Sequence, residues 1–519
     1  MVRCARMSTF GLRLVPFLVA AAAASAQDAS TSASAAPGAL ADTSTASTVE
    51  AARAAARADR NREAAELFRA AIAQAPHRRR ELLQEYADQL NYSGRATQAA
   101  PLFREALQSP RSHEERLRLL KGLGLALLWS DQPSSARPVL EELLREQPDE
   151  RDTARNLGRA LSWSGRQREA VAHLQPVVQA DPGDQEARVI LAQALAWMGR
   201  PDRARAALAD AGGAEARKLV QALDRQQAPR SIAEVLRSTQ SDELEIRSGR
   251  IGHAVSFAQG RGTAGVRVDR ILYEREDGSD SAHVTRPMAH GRYRFSDAVE
   301  INAEAGQERI RTRGGEGHDP TVYSSWITWW PSDLWRFDAS TNRGTFDNLQ
   351  SLRLGITARQ HGLSADFTPT ERQRHTLRLA RASYSDGNVR RDAQFETEYR
   401  WRTHPDAWIG VRHVRFDFDR QLDHGYFNPL SFEATQVTLR AAWRPAGPDG
   451  RWELAAAVAA GREHARPDGS KPARDGSLRV GWRADLHTRL EARVQRFSSL
   501  ASSGGFARTT VGVNLERTW

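Results

Sequence analysis

Glu396 and Glu398 are the residues whose type and spacing come nearest to chemistry in this sequence. Two carboxylates flanking a glycosidic bond divide the work of general acid and general base, provided they stand at a defined separation. A spacing of two puts them on one side of a strand and fixes no separation across a cleft. His413, near Asp417, has the makings of a base and its orienting carboxylate, but on strand spacing it reads as a polar wall residue. Gly317-His318-Asp319 is too short for a calcium loop. The 14 histidines are scattered. No phosphate-cradling glycine loop, metal-spaced histidine pair or nucleophile elbow occurs. Cys4 is the sole cysteine, which leaves no disulfide framework and no thiolate metal site. The expectation is a non-enzyme with no catalytic, cofactor-binding or metal-binding residues.

The elements that carry these side chains explain their spacing. From about 229 to the end, apolar and polar residues alternate with period two, the pattern of strands with one apolar and one charged face. Phe395, Thr397, Tyr399 and Trp401 alternate with Gln394, Glu396, Glu398, Arg400 and Arg402. Val437, Leu439, Ala441 and Trp443 do the same around Arg440. Runs of 10–14 residues exceed soluble strands, which average about five or six, and match membrane-crossing ones. Trp326, Trp329, Trp330 and Trp335 gather near strand ends, as in an interfacial girdle. Tight turns at 296–297, 332–333, 403–406 and 485–487 alternate with polar loops at 277–285, 313–320, 420–431, 465–473 and 500–507. The reading is an antiparallel transmembrane β-barrel over 229–519. Its charged face, on this reading, points Arg292, Arg294, Glu396, Glu398, Arg400, Arg415, Asp417, Asp419, Arg440, Arg479, Arg483 and Glu491 into the lumen. Two roles stay open for them: paired ladders across the wall, or the lining of a path for a hydrated polymer. Turn counting from 244 gives about fifteen strands. Both ends of the barrel in the periplasm require an even number, so Arg230–Ser241 is expected as a further strand, making about 16, enough for an aqueous lumen.

Upstream, residues 49–212 repeat with a helical period. Trp129, Trp163 and Trp197 are each 34 residues apart, the tetratricopeptide period. Each opens a turn-like string such as Trp163-Ser164-Gly165-Arg166, and Tyr92-Ser93-Gly94-Arg95 is an earlier copy. Leu157-Gly158, Leu161, Ala170 and Leu174 follow in register, and Pro76, Pro110, Pro148 and Pro182 close successive copies. About five copies exceed the three a stable stack needs. Tyr92, Trp129, Trp163 and Trp197 either pack one repeat on the next or form an aromatic surface that stacks sugar rings.

Arg3, Arg6 and Arg13 precede the apolar run 14–20 and the small residues of 24–26, the layout of a signal peptide over 1–26. Residues 27–48, rich in Ala, Ser and Thr, read as a disordered linker, and 213–228 as a second linker. A mean hydropathy of −0.59 excludes a bundle of membrane helices, which needs apolar runs of about 20 residues. The net charge of +10 comes from 74 basic and 64 acidic residues that are interspersed, which argues against a nucleic-acid partner.

The repeats resemble the tetratricopeptide family, which implies a binding surface for a protein or polymer. The final strand, with Val511, Val513 and Leu515 alternating and Trp519 last, resembles the recognition strand of outer-membrane proteins. That implies the barrel-assembly machinery as a partner. A repeat arm followed by a barrel resembles the outer-membrane exopolysaccharide secretion proteins, among them the poly-N-acetylglucosamine export porin and the cellulose export subunit. The barrel is also similar to the YaiO-like family. The residues carrying this are the string Leu161-Ser162-Trp163-Ser164-Gly165-Arg166 and the segment Gly425-Tyr426-Phe427-Asn428-Pro429. The arm is shorter than in the named exporters. The resemblance implies an outer-membrane protein with periplasmic repeats that exports an exopolysaccharide, the repeats binding the polymer or periplasmic proteins. A non-conducting anchor whose repeats scaffold an assembly is the alternative.

Overall fold

The computed structural model describes residues 37–447, 449–500 and 505–519, with side chains from 44 onward. The signal peptide expected over 1–26 lies outside the described residues. The chain divides into two compact units, 1–164 and 165–519.

The first unit is a run of antiparallel helices. Pro37–Arg57 pairs with Asn61–Gln74, Arg79–Tyr92 with Ala96–Leu107, and His113–Trp129 with Pro133–Glu146, before Arg151–Trp163. The first of these begins inside the segment read as a disordered linker. Its Thr45 and Val49 are buried, and Val49 packs with Phe68, Ile72 and Leu82. Alanine, poor in buried area, has the highest helix propensity, so an alanine-rich segment next to an apolar neighbour becomes helix. Small residues set the closeness of the stack. A Cβ on Gly122 would lie 2.4 Å from the Phe103 ring, and one on Gly124 2.6 Å from Leu140. Ser112 caps its helix by accepting from the Glu115 N–H at 3.1 Å.

In the second unit, helices Gln167–Ala180, Gln185–Trp197, Pro201–Leu208 and Gly213–Gln227 lead into the strands. The last helix covers the segment read as a second linker, a correction to that reading. Ala216, Leu219 and Leu223 recur at helical spacing and are buried, the stripe of an amphipathic helix.

The remainder is a closed antiparallel barrel of sixteen strands. Val299–Gln307 and Arg309–Thr312 are one strand, because Met288↔Gly306 and Thr285↔Arg309 keep one register. The interruption at Glu308 sits beside Pro287 and Pro320, which lack a backbone N–H to donate. The first strand, Arg230–Gln240, pairs with the last, Arg508–Thr518, from Arg230↔Thr518 to Gln240↔Arg508. Closure leaves no edge, as a lipid surroundings demands. Val235, Ile251, Val266, Leu363, Val437 and Val511 lie exposed on the outer face. At the end where the chain enters and leaves the barrel, Phe257, Trp329, Trp335, Trp401, Trp443, Trp452 and Trp519 are exposed. They form a one-sided girdle, with Trp335 stacked on Phe367 at 4.5 Å and Trp452 near Trp482 at 6.3 Å.

At the opposite end the strands run past the apolar band. The segment 465–473, expected as a long loop, is a tight hairpin between Trp452–Arg466 and Gly469–Arg483. Likewise 277–285 narrows to a short connection before Ser281–Arg294. Beyond the hydrocarbon both faces of a strand are wet, so its outward residues turn polar and read as loop.

Candidate functional site

Period-two alternation turns about half of each strand inward, so the lumen collects the charges the outer face cannot carry. On one side ion pairs join residues of six strands, passing over the last strand, Arg508–Thr518, which lies between those of Arg493 and Glu234. Arg493 meets Glu234 at 2.9 Å, and Glu234 meets Arg250 at 3.6 Å. Arg250 donates to Asp269 at 2.6 Å, and Asp269 also faces Arg267 at 3.6 Å. Arg267 donates to Glu304 at 2.7 Å, and Arg286 meets Glu308 at 2.5 Å. Glu308 is 1 % exposed and also accepts from the Thr345 hydroxyl at 2.7 Å. On the other side, Arg412 and Gln436 both donate to Asp475, at 3.0 and 3.1 Å. Nearer the girdle, Trp408 is buried in the wall and donates its indole N–H to Asp406 at 2.8 Å. The guanidiniums of Arg440, Arg400 and Arg374 lie 4.5, 5.9 and 6.0 Å from its ring.

Of the residues expected in the lumen, Glu398 is buried and paired with Arg440, and Arg400 donates to Asp406 at 2.6 Å. Glu396 shares their inward parity. Arg294 lies 3.6 Å from Glu300, and Glu491 accepts from Arg489 at 2.9 Å. Arg483 donates to the Gly450 carbonyl at 2.8 Å. Arg292 and Arg479 occupy inward positions where they remain solvated. Arg415, Asp417 and Asp419 are a correction. Phe416 and Phe418 point inward on that strand, so Arg415 and Asp417 point out. Asp417 and Asp419 pair with Arg391, at 3.0 and 2.7 Å. The cause is again the overhang beyond the membrane, where water takes the outer face and the interior is capped. His413 bonds Thr435 at 2.9 Å and does not meet Asp417. Glu234, Gln240, Asp269, Arg286 and Trp408 went unremarked in the sequence. The same alternation, applied to 230–312, was the signal that marks the first four.

Two buried clusters narrow the outer end of the lumen. Tyr384, Phe416, Phe418, Tyr426 and Phe432 form a buried aromatic cluster with Ile356 and Leu500. Tyr384 stacks on Tyr426 at 4.8 Å, and Phe416 on Phe432 at 4.5 Å. A second cluster joins Tyr273, Val284 and Ile310 to Leu349 and Leu352 of the short helix Leu349–Arg353. Two loops tie the clusters together: Ser351 donates to the His424 carbonyl at 2.6 Å and Gln350 to that of Asp423 at 2.7 Å. Gly425, at φ +85°, sits so close that a Cβ would lie 2.5 Å from Asn348 Oδ1. The Gly-Tyr-Phe-Asn-Pro segment thus builds the constriction. Its Tyr426 hydroxyl donates to Asp386 at 2.8 Å.

A tetratricopeptide-repeat family model matches residues 164–228. The family model described as the PgaA membrane beta barrel domain matches 287–493. This chain carries a tetratricopeptide repeat and a PgaA membrane β-barrel domain. It is an outer-membrane barrel with an N-terminal repeat domain. Solved structures with a similar path include one titled bacterial polysaccharide outer membrane secretin. That match has 12% identity and a TM-score of 0.46, and covers 57% of this chain and 99% of that one. A tetratricopeptide protein, YrrB, titled as having an unusual peptide-binding site, matches at 17% identity and a TM-score of 0.27. It covers 33% of this chain and 84% of its own. Pseudomonas aeruginosa OccK7 (OpdD) matches at 10% identity and a TM-score of 0.34, over 56% of this chain and 98% of its own. No curated protein matches.

The PgaA-type barrel is held to the helices that precede it. Helix Gln167–Ala180 has no cap from its own N-cap residue, Arg166. Asp333, in a turn of the barrel, accepts instead from the Arg168 N–H at 3.0 Å and the Glu169 N–H at 3.2 Å. Asp297, in the neighbouring turn, pairs with Arg200 and with Arg203 at 3.0 Å. Arg294 lies 4.3 Å from the Trp330 ring beneath them.

In the first unit, Tyr92 and Trp129 are the last residues of their helices and both are exposed, with ring centroids 6.1 Å apart. Trp163 and Trp197 also end their helices and are half-buried.

Proposed function

We propose that this protein passes an exopolysaccharide across the outer membrane through its barrel, and that its repeats bind the polymer or the periplasmic proteins that deliver it. The observation that carries the reading is the closed sixteen-strand wall with an inner face of interleaved arginine, carboxylate and amide groups. A hydrated, hydroxyl-rich chain exchanges hydrogen bonds with such a face, whereas a long apolar cargo would strand them. The barrel performs no chemistry on its cargo in this reading. The repeats supply an exposed aromatic pair, Tyr92 and Trp129, suited to the flat face of a sugar ring or to a peptide.

The narrowed outer end favours a second reading, in which the barrel is a non-conducting anchor and the repeats scaffold an assembly. Planar-bilayer recordings of the full-length protein separate the two. Export through the lumen predicts a small basal conductance that rises severalfold when residues 422–428 are deleted, because that loop ties the two clusters together. A barrel silent in both forms would leave the anchor as the surviving reading.

A further inference from the structure

We infer that the outward face of the barrel binds a phosphorylated lipid of the outer leaflet, through Arg462, Arg474 and Arg496. The inference is independent of whether the lumen conducts.

The three arginines lie on consecutive strands, Trp452–Arg466, Gly469–Arg483 and Thr488–Phe497. Each shares the parity of an exposed apolar residue of its own strand: Arg462 that of Val458, Arg474 that of Leu478, and Arg496 that of Val494. All three therefore point out of the wall, and all are exposed. In the register Arg462 faces Pro472 and Arg496 faces Gly476, so Arg474 lies two residues from the position opposite each neighbour. From strand to strand the displacement runs toward the girdle at both steps, and strands tilted in a barrel need such a stagger to hold one height.

The girdle fixes that height. Arg462 stands ten residues along its strand from Trp452, and Arg474 eight from Trp482. At about 3.3 Å per residue and a tilt of about 40°, these spans rise about 20–25 Å, close to the height of an apolar band. The arginines thus stand at the far interface, where hydrocarbon ends and the head groups of the outer leaflet begin.

Neither the Arg462 nor the Arg474 guanidinium has an ion-pair or hydrogen-bond partner among the described residues. Arg496 donates to the neutral Thr509 hydroxyl at 3.1 Å. Glu433, the outward carboxylate on the flanking strand, is diagonal to Arg462 and forms no ion pair with it. Three cations at a lipid boundary call for an anion, and the guanidinium fork matches phosphate oxygens. Directly below them Val458, Leu478 and Val494 lie exposed, a surface for acyl chains. A soluble anion would answer only the arginines and a neutral lipid only the apolar face, whereas a phosphorylated lipid answers both.

Native mass spectrometry of the full-length protein in detergent tests this, with bis-phosphorylated lipid A and its fully dephosphorylated form as probes. The phosphorylated form is expected to bind about tenfold more tightly. The variant R462Q/R474Q/R496Q should lose most of that preference while the heat-modifiable gel mobility of the folded barrel stays unchanged. R462Q/R474Q takes its place if the triple variant does not fold. Arg247→Gln serves as a control, since Arg247 also points outward but is already paired with Glu245. It should leave binding as in the parent. Equal binding of the two lipid forms, an equal loss in Arg247→Gln, or displacement of the lipid by an equimolar amount of inorganic phosphate overturns the inference.

Discussion

Asp88, on the helix that ends in Tyr92, carries a carboxyl that burial pushes up to about 7. The neighbouring Glu85 adds to the rise, and a hydrogen bond from Gln84 opposes it. A carboxyl raised in the fold holds its proton more tightly there than in the unfolded chain, whose value is about 3.9. The folded repeats therefore lose stability as pH climbs from about 4 through 7, and keep it below that window. Thermal melts of the full-length protein followed by helical circular dichroism should show the repeat transition falling by a few degrees between pH 5 and pH 8. Asp88→Asn should flatten that slope and melt higher than the parent at pH 8. An unchanged slope in the variant would assign the pH dependence elsewhere. Gly122 is a second single-residue lever: a methyl there meets the Phe103 ring, so Gly122→Ala is expected to cost about 1–3 kcal/mol by overpacking.

Helix Gln167–Ala180 takes its N-terminal cap from another element. Its first amides are satisfied by Asp333, which belongs to a turn of the barrel, and its own N-cap residue, Arg166, makes no side-chain cap. Loss of a cap costs about 1 kcal/mol, which is about fivefold in a local opening equilibrium. Asp333→Ala should therefore speed hydrogen exchange at the Arg168 and Glu169 amides about fivefold, with the strand amides unaffected. Asp297→Ala, which removes the barrel partner of Arg200 and Arg203 and leaves Arg200 paired with Asp202, is expected to act in the same direction on helix Pro201–Leu208. Exchange that rises equally across the barrel would show that the aspartates stabilise the strands and do not serve as docking points.

Across the whole barrel, the aromatic girdle marks one membrane interface, and it lies at the end where residue 229 enters and Trp519 leaves. With the repeats in the periplasm, the opposite turns face the cell exterior. An epitope inserted at 467–468 should react with antibody on intact cells, and one at 403–405 only after permeabilisation. The reverse pattern would invert the barrel.

The even strand count and the extra strand near residue 230 followed from the alternation and from where the chain must end, because period two and parity are properties of the sequence alone. The spacing of Trp129, Trp163 and Trp197 likewise identified the repeats, since a stacked helical unit must recur at its own length. The charges that truly line the lumen were partly legible: Glu398, Arg400 and Arg440 alternate with lipid-facing aromatics, but Arg415 and Asp417 follow the same rule in the opposite sense. Which face of a strand is wet depends on its height in the membrane, and height is set by the assembled barrel. Only the tertiary structure, similarly, made Asp333 a cap for a helix 165 residues away and turned Gly425 and Tyr426 into part of a constriction at the outer end. Such contacts join segments distant along the chain, and no local period records which of them will meet.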